Sequence, residues 1–83
     1  MLKAIIEIVS TNKTKVGNYS RESFKNGVDF YYKNTIVASL NWKNKKIHYN
    51  TLSSDTATVK AANNYKKYFM LVFSDYEHIV IKY

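Results

Sequence analysis

Thr35-Ile36-Val37-Ala38-Ser39-Leu40-Asn41-Trp42-Lys43-Asn44-Lys45-Lys46-Ile47-His48-Tyr49-Asn50 is the stretch that decides how this chain is read. Side chains alternate across a strand, so Ile36, Ala38, Leu40 and Trp42 share one face while Thr35, Val37, Ser39 and Asn41 share the other. With Lys43-Asn44 as a two-residue hairpin loop, Trp42 comes opposite Lys45, Leu40 opposite Ile47 and Ala38 opposite Tyr49. The second face then pairs Asn41 with Lys46, Ser39 with His48 and Val37 with Asn50. One face is mostly apolar and the other polar and basic, which is the pattern of a hairpin buried on one side. Lys-Asn is a poorer turn pair than Asn-Gly, and a longer loop in another register would scramble these pairings.

Working outward, residues 28–33 alternate as a further strand and Asn34 marks a turn. Residues 2–9 are rich in β-formers and largely apolar, which predicts a central strand with Leu2, Ala4, Ile6 and Ile8 on its buried face. Residues 10–26 are polar, with a short helical turn expected over 20–25. Downstream, Ser53, Ser54, Asp55 and Thr56 supply N-cap chemistry. A helix is predicted over about 55–67, with Val59, Ala62, Tyr65 or Lys66, and Phe69 beyond, turned inward. Lys60, Asn63, Asn64 and Lys67 fall on its outer side. Residues 68–73 are continuous β-formers, 74–77 break them and 78–83 alternate, which predicts a C-terminal hairpin. The expected fold is a single domain over residues 1–83. Its class is α+β, an antiparallel sheet of about five to six strands with one main helix packed on it.

Composition narrows the function. The 83 residues include no cysteine, which excludes disulfides, thiolate metal sites and a cysteine nucleophile. The opening residues have no basic region followed by an apolar core of about 7–15 residues, so no signal peptide is read there. No apolar run reaches the roughly 20 residues of a membrane span, and a cytoplasmic protein without a membrane partner is expected. The net charge of +7 points to an anionic partner. Part of that charge reflects codon usage: 42 residues are Phe, Tyr, Met, Ile, Asn or Lys, whereas Gly, Ala, Arg and Pro number 8. Arg21 is the single arginine, so bidentate readout of guanine is limited and backbone binding is favoured.

The candidate binding residues are Lys43, Lys46 and His48 on the hairpin and Lys60, Lys66 and Lys67 on the helix. Aromatics interleaved with cations can hold phosphates and stack on bases. The plain alternative is a solvated hairpin with Trp42 and Tyr49 buried against the helix. His48 and His78 could form an acid–base pair on RNA, provided the fold brings them together. No metal-ligand spacing, phosphate-cradling glycine loop or nucleophile elbow is present, so no catalytic residue, metal or cofactor is assigned. Exposed tyrosines are expected in so aromatic a chain and favour interfaces.

The pieces Thr35-Ile36-Val37-Ala38, Lys46-Ile47-His48-Tyr49-Asn50-Thr51 and Ser54-Asp55-Thr56-Ala57-Thr58 resemble a short pattern of small uncharacterised phage-encoded proteins, over about a third of the chain. The pattern's histidine after the Thr-rich turn is missing, with Ala61 and Ala62 in its place. The resemblance implies a mobile-element origin and transfers no active site. Size and layout are also similar to anti-CRISPR inhibitors. The expected function is a non-enzymatic binding protein acting on a nucleic acid, a nucleoprotein or an acidic protein surface, with an anti-defence inhibitor as its specific form. A metal-independent ribonuclease toxin and a plain protein-interaction domain are the alternatives. Exposed strand edges are compatible with a homodimer.

Overall fold

The computed structural model describes residues 2–10, 14–52 and 55–81. In chain order the elements are α1 (Leu2–Ser10), β1 (Lys15–Val16), β2 (Tyr19–Phe24), β3 (Gly27–Tyr32), β4 (Thr35–Asn41), β5 (Lys46–Asn50), α2 (Thr56–Val72) and β6 (Glu77–Ile81). The fold is α+β: one six-stranded sheet in the order β1-β2-β3-β4-β5-β6, with α2 as its main helix. β1 to β5 form an antiparallel meander.

The central hairpin has the expected register. Ala38 pairs with Tyr49, Ser39 with His48, Leu40 with Ile47 and Asn41 with Lys46. Its loop is longer than two residues but keeps that register. The Asn41 side chain accepts from the backbone N–H of Lys43 at 3.0 Å and of Asn44 at 3.2 Å, and Lys45 takes a left-handed φ of 55°. Asn41 therefore supplies the turn chemistry that Asn-Gly would have given. Val37 does not pair with Asn50. The β3–β4 register shifts, with Phe30 opposite Ala38 and Tyr31 opposite Ile36, so Val37 is the extra residue of a β-bulge. Val37 and Ala38 are both buried, and Ile36 is turned to the other face at 38% exposure.

Four expectations are corrected. Residues 2–9 are helical: α1 lies against α2, β1 and β2, with Ile5 and Ile8 fully buried. That segment is apolar nearly all round, so a period of 2 and one of 3.6 both fit it, and the neighbours available to cover it decide. Residues 20–25 hold no helical turn, since 19–24 are strand. The main helix runs on through Val72, because Thr58, Ala61, Ala62, Tyr65 and Phe69 form one continuous buried stripe. That stripe overrides the β-propensity of residues 68–72. The C-terminal hairpin is therefore absent among the described residues: β6 pairs with β5, and in parallel.

A parallel neighbour needs a crossover, which α2 provides. Its 17 residues span about 25 Å, carrying the chain from the far end of β5 back beside Lys46, where β6 begins. Asp55 caps it, accepting from the Ala57 N–H at 3.3 Å and the Thr58 hydroxyl at 2.8 Å. Those bonds, the Thr58 hydroxyl foremost, hold the Asp55 carboxyl below the usual carboxylate range. Ser53 and Ser54, the other cap candidates, lie outside the described residues, as do Lys82 and Tyr83.

α2 packs on β3, β4 and β5 from one side, and α1 closes the same layer. Between helix and sheet lies an aromatic core, with Phe30, Tyr65 and Phe69 ring centroids 5.1–5.6 Å apart. Among the described residues no helix covers the other face of the sheet. Across it, Glu22, Asp29, Ser39, His48 and Ile79 form one row over five strands. Gly27 is required by close approach, because a Cβ there would run into the Leu40 carbonyl oxygen.

Candidate binding surface

The β4–β5 turn is tied to both neighbouring connections. Trp42 N–H donates to the Asn26 carbonyl at 3.0 Å, joining it to the β2–β3 turn. Glu77 N–H donates to the Lys45 carbonyl at 2.9 Å, and the Lys45 ammonium meets the Asp75 carboxylate at 3.1 Å. The Lys45 hydrogen bond lowers the Asp75 pKa. Because α2 returns to this end of the sheet, its C-terminal turns sit here as well.

This pole collects exposed apolar side chains: Phe24 at 41%, Trp42 at 48%, Met70 at 49%, Leu71 at 79% and Val72 at 49%. Lys25 and Lys43 are exposed in the two turns at this end, and Lys46, which begins β5 here, is half-buried. Only part of the expected burial of Trp42 and Tyr49 holds. Tyr49 is fully enclosed, whereas Trp42 points to solvent.

The six predicted site residues are not one patch. Lys43 sits at the pole, whereas Lys66 and Lys67 follow Tyr65, whose ring packs on Tyr19 at the opposite end of β2, and so lie midway along α2. Lys46 begins β5 there but lies in the row of Asn41, on the uncovered face, with His48 one step further along it. Lys60 sits seven residues before Lys67, about 10 Å along α2 toward its other end. The sheet therefore separates Lys46 and His48 from the helix lysines. Sequence reasoning missed Met70, Leu71 and Val72, because residues 68–73 were read as a strand. Extending the helical stripe through Phe69 places Met70 and Leu71 outside it, whereas Val72, seven residues after Tyr65, continues the stripe and is exposed because α2 ends there.

The histidines do not converge. Ile47 pairs with His78 and His48 with Ile79, so the two rings lie on opposite faces of the sheet. His78 Nε2 is 2.9 Å from the Phe73 carbonyl and must donate to it, which leaves Nδ1 to accept from the Tyr49 hydroxyl at 2.7 Å. Nor is the Asp29–Ser39–His48 row a nucleophilic triad. Ser39 Oγ donates to Asp29 Oδ1 at 2.6 Å, whereas an activated serine donates to the histidine. A groove of about 290 Å³ lies above that row, with Ile36, Leu52 and Ile81 as its apolar walls and His48 and Asn50 as polar ones. Among the described residues no three His, Asp or Glu side chains come together as a metal site, and no helix is long and apolar enough to cross a membrane.

No protein-family model, curated protein or solved structure matches the chain.

Proposed function

We propose that the chain is a non-enzymatic binding module that docks through the pole onto a nucleoprotein. Its biological form, which we assign from the phage-type sequence pattern, is an anti-defence inhibitor. The observation that carries the reading is the gathering at one end of exposed lysines with Trp42, Met70, Leu71 and Val72. Lysines and an exposed indole serve a phosphate backbone and its bases. Aliphatic Met70, Leu71 and Val72 have no counterpart in a phosphodiester, and burying a side chain such as Leu71 on a protein contributes about 1.5–3 kcal/mol. A protein surface already carrying a nucleic-acid strand satisfies both halves. The ribonuclease alternative loses its support with the separation of His48 from His78.

The test begins with anisotropy titrations of labelled duplex DNA, single-stranded DNA and RNA at two salt concentrations, with Trp42 emission read alongside. Nucleic acid alone should bind weakly and salt-sensitively, quench Trp42 and emerge uncleaved. Lys25→Glu with Lys43→Glu should reduce the log K against log salt slope by about 2. Guide-loaded interference nucleases titrated with the chain should lose target cleavage, and Leu71→Asp should restore it while leaving nucleic-acid binding intact. Absence of low-salt binding, with Trp42 emission unchanged, would overturn the nucleic-acid half. Undiminished cleavage across such nucleases would overturn the anti-defence form.

A further inference from the structure

The two edges of the sheet differ. β1 is two residues long and carries exposed Lys15, which blunts it against strand addition. β6 is five residues long and, among the described residues, packs appreciably only on β5. It has no lysine, proline or bulge, and Glu77 is its one charged residue. The two ends of its ladder set the direction of every backbone group. Glu77 N–H donates to the Lys45 carbonyl, and the Ile81 carbonyl accepts from Thr51 N–H at 3.0 Å. Backbone direction alternates along a strand, so Glu77, Ile79 and Ile81 face β5. His78 and Val80 therefore turn their N–H and C=O groups to the open side.

We propose that β6 is a self-association edge, pairing antiparallel with β6 of a second copy about a two-fold axis through Ile79 and perpendicular to the sheet. In that register His78 of one copy exchanges both backbone hydrogen bonds with Val80 of the other, giving four bonds across the junction. Ile79 meets its own copy as a non-hydrogen-bonded pair, where opposing side chains are closest. On the uncovered face this extends the apolar wall of Ile81, Leu52 and Ile36 across the axis. Charge placement is compatible with a second copy. Seven of the twelve lysines lie at the pole (Lys25, Lys43, Lys45 and Lys46) or on α2 (Lys60, Lys66 and Lys67), and an antiparallel junction sends the two poles to opposite ends, which limits the repulsion between two chains of +7. The assembly also closes: both β6 edges are used, and only the short, lysine-bearing β1 edges remain.

The full chain is examined by light scattering and by amide hydrogen exchange at submillimolar concentration. Wild type should show twice the 9.7 kDa chain mass, with protected amides at His78 and Val80. Val80→Pro removes an N–H that β5 does not use and should give a folded monomer. There the His78 amide exchanges rapidly while Ile79 and Ile81 stay protected. Ile79→Lys, which leaves the backbone ladder intact, should weaken association by about tenfold or more even if the proline variant fails to fold. A wild type that stays monomeric with fast exchange at His78 and Val80 would overturn the proposal. So would a stable Ile79→Lys dimer, or a wild type that grows past two copies.

Discussion

Tyr65→Phe should stabilise this protein. Tyr65 is fully buried, and its hydroxyl oxygen has no hydrogen-bond partner among the described residues. Burial raises its pKa, so the group is a neutral phenol at any ordinary pH. A hydroxyl removed from water without a partner costs about 1–3 kcal/mol. The phenylalanine ring would keep the contacts with Tyr19, Phe30 and Phe69, whose centroids lie 5.8, 5.2 and 5.6 Å away. The hydroxyl-sized void left behind returns a few tenths of that gain. The net effect is about 1 kcal/mol of added stability, or about 4–8 °C in Tm for a domain of this size. Tyr49→Phe supplies the opposite sign. Its hydroxyl donates to His78 Nδ1 at 2.7 Å, so removal orphans that nitrogen and costs about 1–2 kcal/mol. Urea and thermal unfolding of both variants, beside wild type, read the two signs in one experiment. A Tyr65→Phe variant less stable than wild type by 1 kcal/mol would refute the reasoning, because the hydroxyl would then have a partner.

Gly27→Ala should lower the urea midpoint by the equivalent of about 1–3 kcal/mol, since the new methyl meets the Leu40 backbone carbonyl and cannot displace it cheaply; an unchanged midpoint would show that the strands part easily there. Acid should weaken the fold through Asp55 and Asp75. Both carboxyls have folded pKa values below the ordinary one, so their stabilisation is complete above about pH 4 and disappears as pH falls further. Thermal scans from pH 7 down to 2 check this, and Asp55→Asn with Asp75→Asn should flatten the fall. Trp42, the single tryptophan, should be quenched more strongly by iodide than by caesium, because Lys43 follows it and its N–H bond to Asn26 joins it to the turn that carries Lys25; equal quenching would mean that the pole has no local positive field.

The central hairpin was legible because its alternation left one register that buries Leu40, Ile47 and Tyr49 together. Three other features were not. Residues 2–9 carry apolar side chains at both periods, and only the surface supplied by α2 and β2 selects the helix. Tyr68, Phe69 and Val72 are strand formers one by one, and Met70 and Leu71 between them suit a helix as well. Phe69, four residues after Tyr65, is what extends the buried stripe, and that signal appears only once the helix is allowed to continue. The parallel placement of β6 follows from that same extension, because a helix ending five residues earlier would leave room for a hairpin. The bulge at Val37 has no local mark, and it alone puts Ile36 on the uncovered face. Of the site, Lys43 is legible as an exposed cation beside an aromatic, whereas alternation alone puts Trp42 on the apolar face, and its exposure follows from its place in the turn. Their company of Met70, Leu71 and Val72 depends on where α2 ends.

Cover on one side only divides the strand positions into two classes with different freedom. Tyr19, Phe30, Leu40, Ile47 and Tyr49 must satisfy neighbours in three dimensions, so each constrains the others. Glu22, Ser39, Lys46 and His48 answer chiefly to solvent and to one another across the strands. A protein built this way can change what it presents to the outside through alternate residues of the same strands, leaving the intervening ones untouched. Its specificity and its foldability are inherited on separate letters of one sequence, so selection, or an engineer, can revise the first without reopening the second.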